Sequence, residues 1–199
     1  MAPAGWGILV AAAVGIAQAA AAVPAIWIQV PYIAQTKDGC GSASIAMVIQ
    51  YWDRKMGQPV AADADQEKIQ TALFSPAAHG ILASSMERYF RDSGYQVFAF
   101  QGQWSDLQHH LALGRPLIVI LKASGRYGPL HYVVVVGIDS ERGYLFVNDP
   151  ARQKMLRISR KGFEAEWRDT RHWTLLAVPK TAPPATPEPM PQANGPSGK

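Results

Sequence analysis

The stretch QTKDGCGSASIAMVIQYW, residues 35–52, constrains this chain more than any other. It holds the only cysteine, Cys40, set between Gly39 and Gly41. Directly after it, Ile45, Val48, Ile49 and Trp52 recur at i, i+3, i+4 and i+7, which predicts a helix with one apolar stripe. Cys40 is therefore expected where a loop becomes the first turn of a buried helix. The unpaired N–H groups and the positive dipole end there favour an anion. A thiol so placed has a lowered pKa, and the thiolate is the nucleophilic form. The flanking glycines allow a tight turn and leave the sulfur unshielded.

Around this stretch, 199 residues suffice for one domain with tails. Hydrophobic residues make up 48% and charged ones 17%, which suits a packed core rather than a disordered chain. The net charge of +4 is spread along the sequence, with no basic stripe or nucleic-acid module, so no nucleic-acid partner is expected. Residues 1–23 carry no charged side chain, and Ile8 to Ile16 is an apolar run followed by small residues near Ala20 to Ala22. This reads as a signal peptide cut at about Ala22, with retention as an N-terminal membrane anchor the alternative. Export is the expectation that follows. In an oxidising compartment a single cysteine cannot form an internal disulfide, and it is then a reactive thiol or an intermolecular link. The stretch Pro179 to Lys199, rich in Pro with Ala, Thr, Gly and Ser, is expected to be a disordered tail. The folded domain is then residues 24–178.

Along that domain the period changes. The Cys40 helix should end near Lys55, before Gly57 and Pro59. Asp65 to Leu73 reads as a helix with Asp65 as N-cap. Ile81 to Asp92 reads as another, with Leu82, Met86, Tyr89 and Phe90 facing inward and Gly94 as its stop. Ser105 and Gln108 have capping-box spacing at the start of a further helix, which Gly114 ends. Val- and Ile-rich strands follow at Pro116–Leu121, His131–Ile138 and Gly143–Val147, the last two forming a hairpin. Met155–Ile158 and Trp173–Val178 add strands, with an amphipathic piece around Phe163 and Trp167 between them. Helices first and strands second predict an α+β order, the nucleophile helix packed on an antiparallel sheet.

A thiolate nucleophile needs a base, and the base an orienter. His131 opens the strand HYVVVVGI, after the glycine-rich loop Ser124–Pro129. Asn148-Asp149-Pro150 closes the next strand. Antiparallel pairing of the two would bring Asp149 to His131, where its carboxylate takes the Nδ1–H bond and leaves Nε2 toward sulfur. Gln35 could offer its amide N–H to an oxyanion, joined by the Cys40 backbone N–H. Gly39, Gly41, Tyr127 and Gly128 are the expected substrate contacts.

These segments, VPYIAQTKDGCGSASIAMV, GRPLIVIL, HYVVVVGID and FVNDP, resemble the bacteriocin-processing peptidases, and more closely their stand-alone, exporter-free relatives. The likeness covers about residues 28–178. It implies a papain-like cysteine peptidase fold and a peptide or protein substrate; no metal and no organic cofactor is needed for such chemistry, and a monomer is expected, although the residues leave the oligomeric state open. It implies Cys40 as nucleophile, His131 as base, Asp149 as orienter and Gln35 as the oxyanion side chain. Two positions depart from the family pattern. Gly39 stands where an acidic or amide residue is usual, and Ser42 where proline is frequent. No G-x-x-x-x-G-K-[ST] motif occurs, so the transporter's ATP site is absent from the sequence.

Two further readings remain open at this level. One is a catalytically silent peptide-binding module of the same fold. The other is a thiol acyltransferase or isopeptidase that passes the acyl group to an amine.

Overall fold

The computed structural model describes residues 25–123 and 128–182. The putting-together of the chain begins with β1 (Ile26–Trp27), followed by an extended run to the helix α1 (Cys40–Lys55). Then come α2 (Gln66–Leu73), the small hairpin β2 (Phe74–Ser75) and β3 (Gly80–Ile81), and α3 (Ala83–Asp92). The sheet strands are β4 (Tyr95–Gln101), β5 (Leu117–Lys122), β6 (Leu130–Asp139), β7 (Tyr144–Asp149), β8 (Gln153–Ser159) and β9 (Trp173–Pro179). Helix α4 (Trp104–Ala112) joins β4 to β5, and α5 (Arg160–Arg168) joins β8 to β9.

The sheet runs β4-β9-β5-β6-β7-β8, with β1 added to β6, and every pair is antiparallel. Helices precede most of the strands, as the periodicity predicts, and the architecture is α+β. Helix α1 packs on β6 and β9 and against α2 and α3. It is buried all round from Gly41 to Ile49, not along one stripe only. Ala43, Ser44 and Ala46 allow this, because small side chains let strands and neighbouring helices approach on the remaining faces. Trp52 closes the lower part of the helix by donating its indole N–H to the Ala177 carbonyl at 3.0 Å.

Three local readings are corrected. The capping box of α4 is formed by Gln103 and Asp106, two residues earlier than Ser105 and Gln108. Buried Trp104 has to enter the first turn, which moves the cap upstream, and Gln108 instead donates to Ser140 Oγ at 2.6 Å. The helix read from Ile81 begins at Ala83, since Gly80–Ile81 pairs with Phe74–Ser75. Leu82 is its N-cap and 49% exposed, while Met86 and Phe90 carry the buried face.

Both ends of the described chain lie at one pole. Ile26 pairs with Ile138, near the end of β6, and Gly137 is needed there because a Cβ would come 2.9 Å from the Cβ of Trp27. At the other end, Lys180 N–H donates to the Gly94 carbonyl at 3.1 Å, and Thr181 Oγ1 lies 4.0 Å from Sδ of Met56 at the foot of α1. The expected signal segment lies outside the described residues. Of the expected tail, residues 183–199 also lie outside them, whereas Pro179 is the last residue of β9. Among the described residues, no helix is long and apolar enough to cross a membrane.

Candidate active site

Cys40 is the first residue of α1 and Gly39 its N-cap. The approach is a tight turn in which Gly39 N–H donates to the Thr36 carbonyl at 3.0 Å. Asp38 sits in the left-handed region at φ 56, where a short polar side chain is tolerated better than most. Gly39 has an ordinary φ of −99. Glycine is required there by space, since a Cβ would lie 2.8 Å from Thr36 Oγ1. Gly41 is crowded in the same way, by the Cβ of Ile81 at 3.0 Å. Both glycines are buried and back onto protein, so they shape the turn rather than offering a side-chain surface.

His131 lies at the start of β6 and Asp149 at the end of β7, and the pairing of Val134 with Asn148 brings them together. The separation is 2.7 Å, from His131 Nε2 to Asp149 Oδ1. This reverses the expected use of the ring. Nε2 faces the carboxylate, which leaves Nδ1 as the ring nitrogen available to the Cys40 sulfur. Asp149 lies one position past Asn148, the partner of Val134, and from there its carboxylate meets the Nε2 edge of the imidazole.

The carboxylate is itself held. Asp149 Oδ1 accepts from Ala151 N–H at 3.0 Å, and the Asp149 carbonyl accepts from the Tyr32 hydroxyl at 3.3 Å. Asn148, buried, donates to the Val30 carbonyl at 3.2 Å and accepts from Met155 N–H at 3.1 Å. Gln35 N–H donates to the Pro150 carbonyl at 2.9 Å. The loop carrying Gln35 is thus fastened to the loop carrying Asp149. Tyr32 and Asn148 had no role in the sequence reading. Their position inside VPY and NDP was the available signal, but a strand-to-loop hydrogen bond leaves no periodic trace.

Burial pushes the Cys40 thiol up, but the hydrogen bond from His131, the N–H groups of Tyr132 and Gly41, and the imidazolium charge outweigh it and bring the thiol below its usual 9.0. Burial pulls His131 down, but its hydrogen bonds to Asp149 and Cys40 and both their charges raise it to about 9. The thiol is drawn down and the imidazole up, and both shifts favour a thiolate–imidazolium pair. Such a pair is a preformed nucleophile with its proton donor in place.

Gln35 is half-buried, and its side-chain Oε1 is enclosed without a hydrogen-bond partner among the described residues. Gly128 is half-buried beside Ala123, whose carbonyl a Cβ there would overlap. Tyr127 lies outside the described residues.

The Peptidase_C39 like family model matches residues 27–174. Among solved structures, a chain assigned as a C39-like peptidase from Bacillus anthracis superposes with a TM-score of 0.62 at 16% identity, over 80% of this chain and 100% of that one. The peptidase domain of Streptococcus ComA, a bi-functional ABC transporter of a quorum-sensing pathway, gives 0.57 at 19% identity, over 76% and 100%. A double glycine motif protease from an AMS/PCAT transporter, in complex with the leader peptide, gives 0.57 at 22% identity, over 77% and 94%. Comparison with curated proteins gives no match. With the fold, the helix-tip cysteine and the family match in agreement, the chain belongs to the Peptidase_C39 like family of papain-like cysteine peptidases.

Proposed function

We propose that this protein hydrolyses peptide bonds with Cys40 as nucleophile, His131 as general base and acid, and Asp149 as the group that orients the imidazole. The observation that carries the reading is the line Cys40–His131–Asp149, with the 2.7 Å bond at Nε2 and opposite pKa shifts on thiol and imidazole. The thiolate adds to the scissile carbonyl, forming a C–S bond and moving the π electrons onto oxygen. The Gln35 side-chain N–H and the Cys40 backbone N–H would receive that charge. Collapse expels the amine, which takes the proton from His131, and leaves a thioester. Water then attacks the thioester, giving its proton to His131, and collapse of the second tetrahedral adduct breaks the C–S bond, releasing the carboxylic acid and leaving the Cys40 thiolate beside the imidazolium.

The substrate is a peptide, the class of molecule with which the double glycine motif protease of similar fold is in complex. Residues 1–23, without charge and with an apolar run, support export of the chain. The amino-terminal residue of the mature protein recovered from the producing cells tests this.

Iodoacetamide labelling tests the chemistry. Fast modification of Cys40 at neutral pH in the native protein, slowed at least about tenfold in His131→Ala, is expected from an ion-paired thiolate. A thiol that reacts only after denaturation, or a purified chain that cuts no member of a peptide library, would overturn the reading.

A further inference from the structure

Gln66 and Gln70 stand four residues apart on α2, on one helix face, and both reach the segment that leads into Cys40. Gln70 Oε1 accepts from the Ser42 hydroxyl at 2.9 Å, and its Nε2 makes a long bond of 3.5 Å to the Asp38 carbonyl. Gln66, with its amide oriented to satisfy both atoms, donates to the Ala34 carbonyl at 3.0 Å and accepts from Thr36 N–H at 2.8 Å. One glutamine therefore brackets Gln35 on both sides, and the other brackets Cys40 on both sides. These are the two residues that would supply the oxyanion donors.

The bracketed segment needs holding. Asp38 is in the left-handed region, a conformation that persists only where its surroundings enforce it. The two places where the sequence departs from the family pattern are the two that face these glutamines. A side chain at position 39 would come 3.1 Å from the Gln66 amide, so Gly39 leaves room for it. The hydroxyl of buried Ser42 reaches Gln70, and also the Gly39 carbonyl at 3.0 Å, as a proline ring could not. Helix α2 has its own anchors in buried Ile69 and in the Asp65 cap, whose carboxylate accepts from Lys68 N–H at 2.9 Å. The glutamine amides are free to serve the turn rather than the helix.

We propose that Gln66 and Gln70 are positioning residues that hold the Ala34–Ser42 segment rigid, so that the Gln35 amide and the Cys40 N–H are aligned on the oxyanion before substrate arrives. The inference rests on the peptidase reading above.

Two probes separate this role from a merely structural one. Iodoacetamide alkylation displaces iodide by sulfur and builds no oxyanion, so it reports the thiolate alone. A dipeptidyl nitrile is captured by formation of a C–S bond, the nitrile π pair moving to nitrogen and taking the imidazolium proton. Its nitrogen then sits where the oxyanion would be. In Gln66→Met and Gln70→Met, kcat should fall about tenfold with KM within about twofold, and nitrile affinity should weaken in step. The rate and pH dependence of Cys40 alkylation should stay at wild-type values. Variants that match wild type in kcat and nitrile capture overturn the inference, as do variants in which alkylation and thermal stability fall along with turnover. A wild-type chain that is alkylated at Cys40 yet captures no nitrile and cuts no peptide overturns the peptidase reading and this inference with it.

Discussion

Asp149 meets His131 at Nε2, across 2.7 Å, and so assigns the other ring nitrogen to Cys40. The carboxylate is 5% exposed, and its tether to Ala151 N–H keeps it from turning away. The imidazole can thus carry a proton between sulfur and leaving group without changing its tilt.

Removing the carboxylate should slow both proton transfers. In Asp149→Ala, kcat should drop about ten- to a hundredfold, the contribution of a positioned acid–base group that has lost its orienter. The alkaline limb of the rate profile should move to lower pH, because the Asp149 bond is the foremost influence raising His131. Steady-state kinetics from pH 5 to 10 would measure both.

The wild-type profile should itself be a bell. Its alkaline limb reports loss of the His131 proton at about 9, and its acid limb reports protonation of a thiolate whose pKa is lowered from 9.0. Labelling of Cys40 by iodoacetamide should share the acid limb, which assigns that limb to the thiol rather than to a substrate group.

Stability should respond to pH in a way that exposes the pair. His131 is raised from 6.5 to about 9, so its contribution is full below 6.5 and is lost as pH rises through about 9. Cys40 is lowered from 9.0, so its contribution is full above 9.0 and is lost as pH falls through its folded value. Between 6.5 and 9 the histidine contribution falls with rising pH while the cysteine contribution climbs toward its full value at 9.0, so the two slopes oppose each other. Cys40→Ala should uncover the histidine slope. Its Tm should fall with rising pH over that window more steeply than that of wild type, in which the cysteine contribution opposes the histidine one. Calorimetric scans of both proteins check it.

Gln35→Ala should lower kcat by about 10²–10³, the usual effect of losing one oxyanion donor, with KM little changed. Alkylation of Cys40 should continue at the wild-type rate, which distinguishes lost charge stabilisation from a damaged nucleophile.

Tyr132→Phe removes the hydroxyl that donates to the Ile81 carbonyl at 3.1 Å. The fold should lose about 1 kcal/mol, measured by urea unfolding. The β2–β3 hairpin beside Gly41 should gain amide hydrogen exchange ahead of the sheet.

Period and composition made much of this architecture readable in the sequence. The strand at residues 130–139 stands out because five of its positions are Val or Ile, and its hairpin with the next strand followed from the polar turn 139–142. That hairpin is what joined His131 to Asp149 on paper. What stayed hidden depends on contacts without a period. The ring orientation follows from where a carboxylate enters, which spacing does not encode. The reason for Gly39 is an oxygen on Thr36, three residues back. The clamp on the turn comes from α2, whose glutamines look in sequence like any solvated helix face.

The placement of the chain ends has its own consequence. Ile26 and Thr181 border the foot of α1 and the end of β6, whereas Cys40 and His131 stand at the opposite tips of those same elements. A helix of 16 residues spans about 24 Å, which sets the depth of protein between the two poles. At both ends of the described residues the chain therefore stands on the side of the domain away from the sulfur. Fusion partners and surface tethers can be attached at both ends of the domain without crowding the sulfur.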